Sequence, residues 1–187
     1  LKLNDEIEIF VPEAKEINLK AQDIPLNVIY EDNDIIVIDK PSKILTISNK
    51  NEKVNTLYRM VSNYLKKEKK KVFVIHRLDY DTSGVIMFAK NKEVQELYQS
   101  KWNELAKIRE YTAVVEGITD NKGHIESYLK QTKTLLVYSS KSKDGYFAVT
   151  DYERIMYIIS IQCLRFIFLL AEEIKLDVIC MILSILY

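Results

Sequence analysis

Residues 72–89 read VFVIHRLDYDTSGVIMFA, two apolar runs separated by the polar, turn-forming stretch HRLDYDTSG at 76–84. VFVI at 72–75 and VIMFA at 85–89 show no polar alternation, so both read as strands covered on their two faces. A polar loop therefore hangs between two rigid supports. Keeping such a loop is costly for structure alone, because buried polar groups need partners and loops ordinarily run over the surface, and this favours a functional reading. His76, Arg77, Asp79, Asp81 and Thr82 offer a nucleophile, a cation and hydrogen-bond donors, and Ser83-Gly84 allows a tight exit into the following strand. On composition alone, an ordinary hydrogen-bonded Asp-x-x-Thr turn explains the same residues equally well.

Upstream, DIIVID at 34–39 is nearly all β-branched and ends at Lys40-Pro41, where proline holds the preceding residue extended. That pattern predicts a buried strand leaving into a loop. From Asn55, the residues Leu57, Tyr58, Val61, Tyr64 and Leu65 recur at helical spacing, and the helix ends in the basic run KKEKKK at 66–71. The run reads equally as a phosphate contact and as a solvated helix end. A second helix is predicted over 91–106, capped by Asn91, with Val94, Leu97, Tyr98, Trp102 and Leu105 forming a core-facing stripe. REYTAVVEG, HIESYLK, LLVYSS and FAVTDYER follow as short strands separated by turn residues at 119–123 and 143–145, which implies an antiparallel meander. The whole reads as α+β, a mixed, mostly antiparallel sheet with flanking helices.

The 187 residues are 48% hydrophobic and 29% charged, the balance of a soluble globular domain. Lys plus Arg and Asp plus Glu both number 27, so a nucleic-acid partner would have to use a local basic patch. Cys163 and Cys180 lack metal-ligand spacing and suggest neither a disulfide framework nor a zinc site, which fits a reducing, cytoplasmic setting. The opening LKLNDEIEIF has neither an initiator methionine nor the regions of a signal peptide, and is expected to begin mid-protein. IEIFV at 7–11 alternates like a strand, and residues 14–24 read as a linker.

In order and spacing, HRLDYDTSGVIMFAK resembles the signature H-R-L-D-x-x-T-S-G, followed by an apolar strand ending in A-K, of RluA-type RNA pseudouridine synthases. YEDNDIIVIDKPS resembles that family's strand ending in K-P, and IREYTAVVEG resembles its K-x-Y-x-A-x-V-x-G. The resemblance divides the chain into a remnant of an N-terminal RNA-binding domain at 1–13, the linker at 14–24, a partial catalytic domain at 25–154 and a non-family apolar tail at 155–187. It implies isomerisation of specific uridines in structured RNA, expected to be ribosomal RNA, to pseudouridine, with Asp79 as nucleophile. Tyr111 matches the family's active-site tyrosine, which stacks on uracil and assists proton removal, and Arg77 matches the arginine that fills the space left by the flipped base. His76, Thr82 and Lys40 are expected as further RNA contacts. No metal, nucleotide or redox cofactor is required, and a monomer is expected.

Other readings use the same residues. A noncatalytic RNA-binding module would employ the same cleft. A protein-kinase loop also contains H-R-D, but Leu78 separates Arg77 from Asp79 and no glycine-rich phosphate loop precedes them. A glycosidase pair of Asp79 and Asp81 would need two residues on a strand-like loop to converge by accident of the turn. A membrane anchor would need about 20 apolar residues, whereas the run from Ile155 to Ala171 is shorter and contains Gln162 and Arg165.

After FAVTDYER the family pattern runs through a strand to T-G-R-x-x-Q-I-R-x-H-M, which supplies an arginine near the catalytic aspartate. Residues 155–187 lack it, and with it the sheet is expected to lack its later strands and Asp79 its cationic neighbour, leaving weak stability and little activity. A reading-frame shift near Arg154 to Tyr157 accounts for this. With permitted codons, LLAEEIKLDVICM at 169–181, read from the third base of its first codon, gives TGRRNQIRCHMH. Sequencing the coding DNA is expected to show one single-base shift that restores this segment with the actual codons; absence of any such shift dismisses the reading.

Overall fold

The computed structural model describes residues 25–66, 69–132, 137–140, 142–158 and 161–170. The strand expected at 7–11, the linker at 14–24 and the tail beyond Leu170 lie outside the described residues. The chain divides at Ser100 and Lys101 into two compact units, each built on its own antiparallel sheet.

The first unit pairs β1 (Asn27–Glu31), β2 (Ile35–Lys40), β4 (Gly84–Ala89) and β3 (Phe73–Val74), in that order. Register follows the alternation expected of a pleated strand. Ile36 faces Phe88 and Ile38 faces Ile86 across the β2–β4 ladder, and all four are fully buried. The register ends at Lys40 opposite Gly84, whose φ of 122° is the left-handed geometry that only glycine adopts without strain. α1 (Leu57–Lys66) buries Leu57, Met60, Val61 and Leu65 and leaves Tyr58 and Tyr64 half exposed. It starts behind Thr56, whose hydroxyl accepts the Arg59 N–H at 3.4 Å, and stops where Lys69 takes a φ of 55°.

The helix predicted over 91–106 is broken at Lys101 into α2 (Lys92–Ser100) and α3 (Trp102–Leu105). Asn91 does cap, accepting the Val94 N–H at 2.8 Å. The stripe is not core, since Leu97 and Leu105 are about half exposed. The cause is that α2 packs on the β3–β4 side of the sheet, so only one flank is covered. Gln95 and Gln99 both donate to the Val74 carbonyl, at 2.8 and 3.0 Å, tying the helix to the two-residue edge strand.

The second unit contains β5 (Arg109–Glu116), β6 (Lys122–Gln131), β7 (Val137–Ser140), β8 (Tyr146–Ile158) and β9 (Ile161–Leu170). Their order is β5-β9-β8-β6-β7, which departs from the expected meander because β8 returns to the free side of β6 and β9 comes between β8 and β5. One sheet face carries a buried cluster of Ile125, Tyr152, Leu164 and Phe166, with the ring centres of Tyr152 and Phe166 6.3 Å apart. The opposite face carries cross-strand charge pairs, Lys122 with Glu153 and His124 with Asp151. The apolar stretch that was expected to leave the sheet short of later strands forms the end of β8 and all of β9. Its β-branched and aromatic residues suit a half-buried pleat, and Leu164 and Phe166 point into the cluster. Among the described residues, no helix is long and apolar enough to cross a membrane.

Phe166 is fully buried in β9, so Phe166→Ala is expected to lower the unfolding free energy by about 3–5 kcal/mol in urea titration. An unmoved transition would mean that β9 is not part of the folded sheet.

Candidate functional site

The loop between β3 and β4 has no strand pairing from Ile75 to Ser83, and its conformation is set by contacts from side chains and from a neighbouring loop. Leu78 points inward and is buried, while Arg77, Asp79, Tyr80 and Asp81 are exposed. The Thr82 N–H donates to the Asp79 carbonyl at 3.2 Å, closing a four-residue turn with Tyr80 and Asp81 at its corner. The sequence-level turn reading is therefore correct as geometry.

His76 is half-buried at the start of the loop, and the Met87 N–H of β4 donates to its Nε2 at 3.1 Å. Burial lowers its pKa from 6.5 to about 4, so the imidazole is neutral near pH 7. A protonated Nε2 would also confront the Met87 N–H, donor against donor. His76 thus braces the loop against β4 as a neutral acceptor.

A second segment, residues 41–46, leaves β2 beside the loop and acts as a strap. The Lys43 N–H donates to the Tyr80 carbonyl at 2.7 Å, and the Ser42 hydroxyl donates to the Asp81 carbonyl at 2.9 Å. The Lys43 ammonium pairs with the Asp81 carboxylate and lies 5.6 Å from the Tyr80 ring centre. This pair raises the lysine pKa, chiefly through the hydrogen bond to Asp81. Deeper in, the Thr46 hydroxyl accepts the Leu78 N–H at 3.1 Å and donates to the Leu78 carbonyl at 2.7 Å.

Lys40 is fully buried, and its ammonium donates to the carbonyls of Pro41 and Ile44 at 3.0 and 2.8 Å. Burial pushes its pKa down, while the charges of Asp79 and Asp81 pull it up. An ammonium enclosed in this way shapes the strap from inside and is not presented to an RNA phosphate, so the expected contact is replaced by a structural one. The first unit brings together Lys40, His76, Arg77, Asp79 and Thr82. Tyr111 belongs to the second unit, on β5, half-buried and packed against the Ile125, Tyr152, Leu164 and Phe166 cluster.

Chemically, the arrangement offers an exposed carboxylate at a turn, an exposed guanidinium two residues before it, and a buried ammonium beneath. Among the described residues, no group of three His, Cys, Asp or Glu side chains is placed to hold a metal ion. Ser42, Lys43 and Thr46 escaped the sequence reading. The only signal they gave was a polar residue at intervals in PSKILTIS after the Lys40-Pro41 boundary.

The sequence profile described as RNA pseudouridylate synthase matches residues 34–171. Ribosomal large subunit pseudouridine synthase D of Haemophilus ducreyi is 31% identical over 154 residues, covering 81% of this chain and 47% of the relative. The tRNA pseudouridine synthase C of the same organism is 34% identical over 131 residues, covering 70% of this chain and 54% of the relative. The chain spans about half the length of these curated relatives. Among solved structures, human RNA pseudouridylate synthase domain containing 4 superimposes with a TM-score of 0.64 at 17% identity, covering 81% of this chain and 62% of that one, a likeness of fold. The chain belongs to the RNA pseudouridylate synthase family.

The neutral His76 makes stability depend on pH. Its folded pKa lies below the unfolded value, so its contribution is complete above pH 6.5 and is lost as pH falls towards 4. Between pH 7.5 and 4.5 the intact chain is expected to lose about 2–3 kcal/mol more stability than the H76Q variant, measured by urea titration at both values. Parallel pH profiles for the two proteins would show that His76 is not held neutral.

Proposed function

We propose that this chain, from its family membership and its exposed Asp79, isomerises uridines in structured RNA to pseudouridine. The observation that carries the proposal is the placement of Asp79, a solvent-facing carboxylate at a turn whose flanking backbone is held by the strap and by β4. Nucleophilic attack by a carboxylate needs access to the nucleoside and a fixed approach, and this loop supplies both. The Asp79 carboxylate bonds to the ribose carbon as its bond to uracil nitrogen breaks, and the turned base displaces the carboxylate by bonding through carbon; the carbon loses a proton and the nitrogen gains one, so atoms balance.

Each remaining residue takes a part consistent with its surroundings. Arg77 is exposed two positions before Asp79, and its planar guanidinium suits the space left in the RNA stack by an extruded base. Extrusion costs a few kcal/mol and least at loops and bulges, which makes such elements the favoured substrates. Tyr111 is assigned to stacking on the uracil and assisting proton removal, by its match to the family pattern. Thr82 closes the turn at Asp79, His76 braces it, and Lys40 holds the strap rather than the RNA. Names of the relatives support ribosomal or transfer RNA as the substrate class, and we assign the reaction to the cytoplasm. We assign the reaction to a monomer with no added cofactor.

The alternative is an RNA-binding module without catalysis, and Asp79→Asn separates the two. The intact chain, incubated at high concentration with RNA transcripts and assayed for pseudouridine by mass spectrometry, is expected to convert uridine slowly, because residues 155–187 lack the family's T-G-R-x-x-Q-I-R-x-H-M arginine. D79N is expected to lose at least about a thousandfold in rate while RNA affinity stays within about threefold, as for loss of a group acting only in the transition state. Conversion by D79N at the intact rate, or none by the intact chain, would overturn the proposal.

A further inference from the structure

We infer that Thr46 is the positioning residue for Asp79, setting the orientation of the peptide through which the carboxylate is attached; this rests on the reading of Asp79 as the nucleophile. Thr46 lies 32 residues from Leu78 in sequence and is 3% exposed. Its single hydroxyl binds both backbone groups of one residue, accepting the Leu78 N–H at 3.1 Å and donating to the Leu78 carbonyl at 2.7 Å. That carbonyl belongs to the peptide unit whose nitrogen is that of Asp79. Two bonds from one atom to the two peptide units on either side of Leu78 fix the planes of both, and through them the direction in which the Asp79 side chain leaves the backbone.

The anchor is itself held. The Thr46 carbonyl accepts the Tyr58 N–H at 3.0 Å, and the Leu45 carbonyl accepts the Leu57 N–H at 2.9 Å, so the strap is stitched to the first turn of α1. α1 in turn is fixed by Leu57, Val61 and Leu65, each at most 1% exposed. A continuous path therefore runs from the core of the first unit, through α1 and Thr46, to the residue before Asp79. Besides the backbone bond from the Lys43 N–H to the Tyr80 carbonyl, the strap's other contacts with the loop, from the Ser42 hydroxyl and the Lys43 ammonium, involve exposed side chains that water can replace. Thr46 is the buried one, and a buried N–H and carbonyl that lose their partner have no substitute. The β-branch holds the hydroxyl in one rotamer, which serine retains less firmly and valine cannot reproduce.

Thr46 touches Leu78 and not the substrate, so its loss should alter the rate of the chemical step more than RNA affinity. Hydrogen exchange read at single amides tests the geometry without needing turnover. In the intact chain the Leu78 amide is expected to exchange as slowly as those of β4, although the loop has no strand pairing. T46V is expected to accelerate Leu78 by about tenfold or more while the amides of β5 to β9 stay unchanged, T46S to restore protection, and S42A to have no effect. With RNA, T46V is expected to lower kcat by about tenfold or more with KM within about twofold, and T46S to recover most of it. Leu78 exchanging at the rate of an open amide in the intact chain overturns the inference even if T46V does not fold. So does unchanged exchange at Leu78 in a folded T46V. Failure of the intact chain to form pseudouridine would count against the proposed function alone, because the exchange result still decides whether Thr46 holds the loop.

Discussion

Lys40 and Gly84 face each other across the final rung of the β2–β4 ladder, and the site depends on that pairing. Two irregular segments start from it, the strap running out of β2 and the loop running into β4, so they emerge side by side from one end of the sheet. Register does the rest. A slip of one residue would turn Ile36, Ile38, Ile86 and Phe88 to the wrong face, and burial of all four therefore also fixes where strap and loop meet. Gly84 permits the φ of 122° at which the loop joins the strand.

Within this frame the interactions rank by burial. The Lys43–Asp81 pair is close but lies in solvent, where screening and side-chain entropy leave it little to contribute. The Lys40 ammonium and the Thr46 hydroxyl are enclosed, and they donate buried hydrogen bonds to the Ile44 and Leu78 carbonyls respectively. His76 belongs to the same set, a neutral acceptor for a β4 amide. The loop is thus held from beneath by buried polar contacts, while its outer residues, Arg77, Asp79 and Tyr80, are exposed to solvent. Because Asp79 is exposed, the penalty of a buried, unpaired carboxylate foreseen for a missing cationic neighbour does not arise in this structure.

Much of this was legible in the order of residues, and the reasons for the rest are physical. β2, β4 and α1 announced themselves by β-branched runs and by apolar spacing, which are local properties. The polar loop between apolar strands was equally legible, and the Asp-x-x-Thr turn expected within it is present. The break at Lys101 left no mark, because the apolar stripe continues through it while the packing partner does not. The order β5-β9-β8-β6-β7 depends on which strand edges find each other, a long-range choice that hairpin signals between neighbours cannot reveal. Thr46 was invisible for a related reason, since a hydroxyl bonding a backbone 32 residues away follows no period. Lysine is ordinarily exposed, and only the position of Lys40 on the buried face of β2 shows that its charge is enclosed.

In the proposed function this loop carries out uridine isomerisation, with the Asp79 carboxylate as the attacking group. The most direct measurement is mass-spectrometric peptide mapping of the intact chain quenched while it turns over a uridine-containing RNA. Attack by Asp79 leaves nucleotide mass on the peptide that contains residues 76–84, attached at the Asp79 carboxylate. Pseudouridine formation with the covalent mass on any other residue would contradict it.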